Sequence, residues 1–148
     1  MMKILLKLMA VMAFLTTPVV VEAQGDCANR LCIELLDGVI EPMPIAVPAF
    51  VAENAGAEAF ATQLSEGVAS DLVGSGLFRI IDPAAYIGSV TNFNAPVAFP
   101  DWKAINAQAL ITGAVSLAEN NQMVVKFRLF DVFGQETLVG LQFAASSQ

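Results

Sequence analysis

The chain has 148 residues, contains no histidine, and carries 14 acidic against 7 basic residues, a formal net charge of −7 at pH 7. This acidic balance disfavours binding to the phosphates of nucleic acids or to anionic lipid head groups. The lack of histidine excludes Ser-His and Cys-His catalytic pairs and histidine metal ligands within this chain, and the length fits one domain with a hydrophobic core.

The first 23 residues have the organisation of an export signal. Lys3 and Lys7 precede an almost wholly apolar stretch over residues 8–21, and a Val-Glu-Ala motif of the kind found at cleavage sites ends at Ala23. The apolar stretch is interrupted by two threonines and a proline and is shorter than the ~20 residues that cross a bilayer. We therefore predict cleavage between Ala23 and Gln24 and a mature domain over residues 24–148 without direct membrane insertion. An uncleaved membrane anchor is the alternative.

Cys27 and Cys32 are the only cysteines, and an exported protein meets an oxidising compartment. A local disulfide between them is the favoured interpretation. Two free thiols are the first alternative, and a metal site is the weakest because no histidine can complete it. An acylated Cys27 is disfavoured, because Gln-Gly-Asp precedes it where small or aliphatic residues would be expected.

Two strands are predicted near the mature N-terminus. Residues 31–36 form a short strand that ends at the turn signal Asp37-Gly38. Residues 43–50 form a second strand, and its prolines limit it to partial pairing or to an edge. The first strand can pair within its own domain or add to the sheet edge of another protein, and the residues alone leave both open.

A helix follows the second strand. Apolar side chains recur every four positions over residues 57–72, which predicts a helix with one buried face. We expect Asn54 to cap its start, and Gly74 and Gly76 to end it. Residues 77–81 then form a strand.

The next segment predicts short helices joined by irregular chain. Asp82-Pro83 is a typical helix start, with the aspartate as cap and the proline in the first turn. Residues 88–100 have no regular pattern. Asp101 then opens a second short helix that directs Trp102 towards the core.

The last part of the chain predicts a three-stranded meander over residues 109–117, 123–129 and 137–143. Lys126 and Arg128 fall on the solvent-facing side of its middle strand. The complete pattern predicts an α/β fold, a mixed sheet of about five to six strands with two helices packed on it. No helix is predicted after the last strand, so we expect exposed apolar sheet surface there and a tendency to associate.

Nothing in the sequence supports an enzyme. Gly74-Ser75-Gly76 follows a helix and precedes a strand, the wrong order for a phosphate-binding loop. The spacing of the acidic pairs in the predicted helix is typical of a solvated face rather than of a catalytic cleft. We predict no catalytic residue, no metal and no cofactor.

Three stretches resemble the N-terminal domain of the TolB family, the periplasmic components of the Tol–Pal system. They read Met-Pro-Ile-Ala-Val-Pro-Ala-Phe at 43–50, Asp-Leu-Val-Gly-Ser-Gly-Leu-Phe at 71–78, and Trp-Lys-Ala-Ile-Asn-Ala-Gln-Ala-Leu-Ile-Thr-Gly at 102–113. Residues 31–38 lie where the family has its mature N-terminal segment, and the resemblance extends over residues 31–143.

This resemblance implies a non-enzymatic periplasmic adaptor. In the family an N-terminal α/β domain precedes a six-bladed β-propeller; the N-terminal segment binds the C-terminal domain of TolA, and the propeller binds the lipoprotein Pal. The system supports outer-membrane integrity, constriction at cell division and protein import. Carried over to this sequence, the residues facing TolA would be Leu31, Ile33, Glu34, Leu35 and Asp37.

The chain departs from the family pattern in two ways. It is expected to end before the closing helix and the propeller, so that Pal binding is not carried over. The Cys27–Cys32 pair lies in the candidate binding segment and would stiffen it if oxidised. The alternatives are a lipoprotein activator of cell-wall synthases with a similar domain, and a periplasmic small-molecule binder or hydrolase, which would need a deep pocket.

Overall fold

The computed structural model describes residues 35–36, 39–118 and 122–146. These residues form a six-stranded mixed sheet, a separate two-stranded sheet and two α-helices, which confirms the predicted α/β class. The helices are α1 (Glu58–Gly74) and α2 (Phe99–Ala104), with a 3-10 turn at Pro83–Ala85. The strands are β1 (Leu35–Leu36), β2 (Val39–Ile40), β3 (Met43–Ala46), β4 (Val51–Ala52), β5 (Phe78–Ile80), β6 (Ala109–Leu117), β7 (Gln122–Asp131) and β8 (Glu136–Ser146).

The large sheet has the order β5-β3-β6-β7-β8, with β4 also paired to β6. Strand β3 runs parallel to both neighbours and lies inside the sheet, with Ile45 opposite Ile80 on one side and Ala109 on the other. The predicted strand over 43–50 is divided: the chain leaves the ladder after Ala46 and rejoins β6 as β4. Partial pairing is what its prolines lead us to expect.

Helix α1 covers one face of the sheet. Ala57 and Ala61 are fully or almost fully buried. The predicted apolar stripe packs against the same core; it consists of Phe60, Leu64, Val68 and Leu72. The helix ends at Gly74, and Gly76 follows with a φ of 72°, a conformation that glycine adopts without strain. The helix and its end are therefore as predicted.

The role predicted for Asn54 is wrong. Helix α1 begins at Glu58, and its N-cap residue Ala57 makes no side-chain capping bond. Asn54 instead donates from Nδ2 to the Leu117 carbonyl at 2.7 Å and accepts from the Leu117 N–H at 3.0 Å. The Asn54 side chain, predicted to cap the helix, thus bonds instead to the backbone of a residue far along the chain.

The opposite face of the sheet is covered by α2 and the irregular segment before it. Trp102 is 2% exposed and meets Tyr86 edge-to-face, with ring centroids 5.3 Å apart. Asp82 accepts from the Ala84 N–H at 2.8 Å, the predicted cap. Helix α2 begins at Phe99, two residues earlier than the predicted start at Asp101. Pro100 lies in its first turn, where a missing N–H costs no helical hydrogen bond.

Strands β6, β7 and β8 form the predicted antiparallel meander. Asp131 is 2% exposed and organises the β7–β8 turn by accepting from the N–H groups of Phe133 and Gly134 at 2.9 and 2.8 Å. The β7–β8 ladder has one register shift, opposite Leu129 and Phe130. The predicted signal cleavage at Ala23 and Gln24 and the Cys27–Cys32 pair lie outside the described residues.

Candidate interaction site

The N-terminal hairpin is the structural context of the candidate binding segment. Strands β1 and β2 are antiparallel, with Leu35 opposite Ile40 and Leu36 opposite Val39. Within the described part of the chain they form a sheet of their own and share no ladder with the six-stranded sheet. Residues 41–42 alone connect this hairpin to β3.

The residues predicted to face TolA are only partly covered by the structure. Leu35 lies in β1, in a backbone pair with Ile40. Leu31, Ile33, Glu34 and Asp37 lie outside the described residues. The structure therefore places one of the five in a strand, and the other four remain predictions.

Two cations of β7 are engaged within the domain. The Lys126 ammonium lies 2.8 Å from the Glu53 carboxylate, with the two side chains 28% and 25% exposed. The Arg128 guanidinium stacks 4.3 Å from the centroid of the Phe93 ring and donates to the Phe93 carbonyl at 3.2 Å. The prediction of a solvent-facing strand side is thus wrong for Arg128, because the segment before α2 folds over it.

Tyr86 fixes the point at which β3 leaves the sheet. Its hydroxyl accepts from the Val47 N–H at 3.0 Å. Burial raises the pKa of the Tyr86 phenol, the hydrogen bond from Val47 opposes this, and the nearby Asp82 carboxylate adds to the rise. The neutral phenol is therefore the form that the fold favours.

A cleft of about 100 Å³ lies between the segment before α2 and the sheet, with Trp102 and Thr112 among its lining residues. Pockets for drug-sized ligands occupy roughly 300–1,000 Å³, so this cleft accommodates no more than a small group. Among the described residues, no three His, Cys, Asp or Glu side chains are grouped to hold a metal ion. No helix in this part of the chain is both long and apolar enough to span a bilayer.

Strand β8 carries an exposed apolar surface. Val139, Leu141 and Phe143, here called the β8 strip, lie opposite Leu129, Phe127 and Val125 of β7. They are 38%, 49% and 53% exposed. Their alternation was visible in the sequence, and the expected exposure of apolar sheet surface is confirmed for these side chains.

Comparison with known families identifies the family of this domain. Residues 31–138 match the family model described as the TolB amino-terminal domain. The chain belongs to this family. It is 56% identical over 134 residues to the Tol-Pal system protein TolB of Dinoroseobacter shibae, covering 90% of this chain and 29% of that protein. It is 51% identical over 140 residues to the TolB of Roseobacter denitrificans, covering 94% and 30%. The chain thus spans about a third of the length of these relatives.

Solved structures agree with the family assignment at the level of the fold. The crystal structure of TolB from Acinetobacter baumannii superposes with a TM-score of 0.52 at 21% identity, over 72% of this chain and 24% of that one. The C-terminal domain of LpoB from Salmonella enterica superposes with a TM-score of 0.55 at 16% identity, over 75% and 87%. Membership of the TolB family, predicted from three stretches of sequence, is confirmed.

Proposed function

We propose that this chain is a non-enzymatic, periplasmic adaptor domain of the Tol–Pal system that binds the C-terminal domain of TolA through its N-terminal strand. The observation that carries the proposal is a TolB-family domain whose N-terminal hairpin forms a sheet apart from the main one. The contacts of that hairpin determine how readily it can pair with a partner.

The ladder described for the hairpin is short. Each of its strands has two residues, and their ladder has two pairs. An isolated two-stranded hairpin is at best marginally stable in water. Few backbone hydrogen bonds must be broken to free Leu35 and Leu36 from this ladder. We infer that the predicted strand over residues 31–36 then pairs with an edge of TolA, where main-chain hydrogen bonds supply affinity.

The charge of the domain supports a protein partner with a basic surface. The net charge of the full 148-residue chain is −7, and the two β7 cations, Lys126 and Arg128, already have partners within the domain. Complementary potentials accelerate association and select among partners. We therefore expect TolA capture to weaken as the salt concentration rises.

The direct test is capture of this chain by the purified C-terminal domain of TolA. A chain lacking residues 24–38 should lose capture, while circular dichroism should report an unchanged α/β domain. Undiminished capture by the shortened chain would falsify the proposal.

Substitution at Leu35 tests the backbone mechanism with a matched control. Leu35→Pro removes one backbone N–H from the pairing strand, and Leu35→Ala keeps it. We expect the proline variant to bind TolA about tenfold more weakly than the alanine variant, equivalent to ~1.4 kcal/mol, near the upper range for one hydrogen bond. Equal affinities for the two variants would contradict strand addition.

The wider roles of the system belong to the same proposal. Outer-membrane integrity, constriction at cell division and protein import would depend on this domain through TolA. We propose that Pal binds the propeller of the family rather than this domain, so we expect no capture of Pal by residues 1–148 under conditions in which TolA is captured.

A further inference from the structure

The cleft beside Trp102 contains a buried hydroxyl group that has no partner in the domain. Thr112 of β6 is 3% exposed and lines this cleft, whose lining residues all fall between positions 88 and 112. It shares a sheet face with Leu110, which packs in the same cluster as Trp102, so its side chain points towards α2. In the described chain no hydrogen bond involves the Thr112 hydroxyl, yet no fully enclosed side-chain polar atom there lacks a partner. The hydroxyl is therefore reached from the cleft.

The charge that lines the cleft is negative. Among its described lining residues, Asp101 alone has an ionisable side chain. Within the described chain the Asp101 carboxylate takes part in no ion pair and no hydrogen bond. The chain at Gly88 packs closely against it, since a Cβ atom added at Gly88 would lie 3.1 Å from Asp101 Oδ2. The carboxylate thus lies at the wall of the cleft with its acceptor capacity unused.

A cation close to Thr112 is held outside the cleft. Arg128 lies opposite Thr112 in the β6–β7 ladder, but its guanidinium stacks on the Phe93 ring and donates to the Phe93 carbonyl. Phe93 lines the cleft and Arg128 does not. A ligand in the cleft therefore meets the charge of Asp101 directly, whereas the charge of Arg128 is engaged elsewhere.

We propose that this cleft binds the ammonium group of a lysine side chain from a partner protein. The Asp101 carboxylate and the Thr112 hydroxyl are the acceptors that the cleft offers to the ammonium N–H groups. The rings of Trp102 and Phe93 line the same space and suit both a cation and its aliphatic stem. An ammonium group is compact, whereas a guanidinium is a broad plane, so a cleft of about 100 Å³ favours lysine over arginine. The net charge of −7 on the full chain favours a basic protein as the source.

Titration with a short peptide tests the site directly. Trp102 is the only tryptophan of the chain, so its indole N–H gives a single NMR signal that reports on the cleft. The probe is acetyl-Gly-Lys-Gly-amide, added to the isotope-labelled processed chain in an amine-free buffer of low salt. The Trp102 signal should shift and saturate with a Kd of about 1–30 mM, the range for a ligand with few contacting atoms. Peptides with norleucine or arginine in place of lysine should bind about fivefold more weakly or worse, because one lacks the charge and the other the compact head.

Two conservative substitutions assign the contacts. Asp101→Asn removes the charge and Thr112→Val removes the hydroxyl, each with little change of shape, and each should weaken binding of the lysine peptide about three- to tenfold. Asp71→Asn is the matched control, because Asp71 is an exposed residue of α1 on the other face of the sheet, and it should leave the Kd within about twofold. Since the Thr112 hydroxyl makes no bond within the described domain, Thr112→Val should keep the thermal stability of the parent, which separates lost binding from lost folding.

Several outcomes would overturn the proposal. A Trp102 signal that does not saturate would leave water as the only occupant of the cleft, and equal affinity for the lysine and norleucine peptides would show that the charge is not recognised. An Asp101→Asn variant that binds as tightly as Asp71→Asn would remove the carboxylate from the site. Free n-butylammonium that binds more than about tenfold tighter than the lysine peptide would indicate a site for small amines instead of a protein surface. None of these measurements involves TolA or residues 31–38, so their outcome is independent of whether the N-terminal strand binds TolA.

Discussion

Gly113 of β6 should be the position at which a single added methyl group costs the domain most. A Cβ atom built at Gly113 would lie 2.5 Å from Cδ2 and 2.6 Å from Cε2 and Cγ of the Phe50 ring. Carbon atoms in optimal contact are roughly 3.5–4.0 Å apart, so the ring must move by about 1 Å. Phe50 is 7% exposed and belongs to the core beneath α1, so that movement would disturb packed neighbours.

We expect Gly113→Ala to lower the free energy of unfolding by about 1–2 kcal/mol. Overpacking of a core costs roughly 1–3 kcal/mol, and the smaller entropy of the unfolded alanine chain offsets this by only about 0.4–1 kcal/mol. Urea unfolding followed by circular dichroism measures the change. Gly67→Ala is the control, because apart from its own turn of α1 no atom lies within 4 Å of a Cβ added at Gly67. It should stabilise by about 0.5–1 kcal/mol.

A double-mutant cycle isolates the steric cause. With Phe50→Ala in place the ring is absent, and Gly113→Ala should then cost less than about 0.5 kcal/mol, since contacting residues couple by roughly 0.5–3 kcal/mol. Equal costs with and without the ring, or a Gly113→Ala variant as stable as the parent, would refute the reasoning.

Three other measurements follow from the structure. Tyr86→Phe should destabilise the domain by about 1–3 kcal/mol, because it leaves the partly buried Val47 N–H without its acceptor. The folded-state pKa of Tyr86 is raised, so the parent protein should lose stability as the pH rises above about 10. The Tyr86→Phe variant should lose less stability over the same pH range. Asn54→Ala removes both bonds to Leu117 and should cost about 1–2 kcal/mol in thermal or urea unfolding, whereas a loss below about 0.3 kcal/mol would show that water replaces them. Mass spectrometry of the exported protein should find an N-terminus at Gln24 without an acyl group, and an acylated cysteine would favour the lipoprotein alternative.

Local patterns determined what the sequence could predict. The four-residue spacing of Phe60 and Leu64 defines the buried face of α1 without knowledge of any partner, and β6 has the bounds that its alternation indicated. Asp82 and Ala84 are two residues apart, so their cap could also be anticipated. In each case the pattern that identifies the element lies within a short stretch of the chain, although the contacts that bury it do not.

Partners distant in sequence account for what was missed. Asn54 satisfies the usual preference for an N-cap, but its side chain bonds to Leu117, 63 positions away. Arg128 is 35 positions from the Phe93 carbonyl that it binds, and only the path of the intervening chain brings them together. The residues alone indicated a strand over 31–36 but left open whether it pairs within its own domain or with another protein, and only the family resemblance named TolA as the partner.

The two halves of the main sheet also differ in how soon they can assemble during folding. Strands β6, β7 and β8 pair with neighbours in sequence, and the β7–β8 turn is organised by its own Asp131 carboxylate. Strand β3 must wait for β6, since Ile45 meets Ala109 only after a long loop closes. We therefore expect the meander to form first and β3 to join the sheet only afterwards.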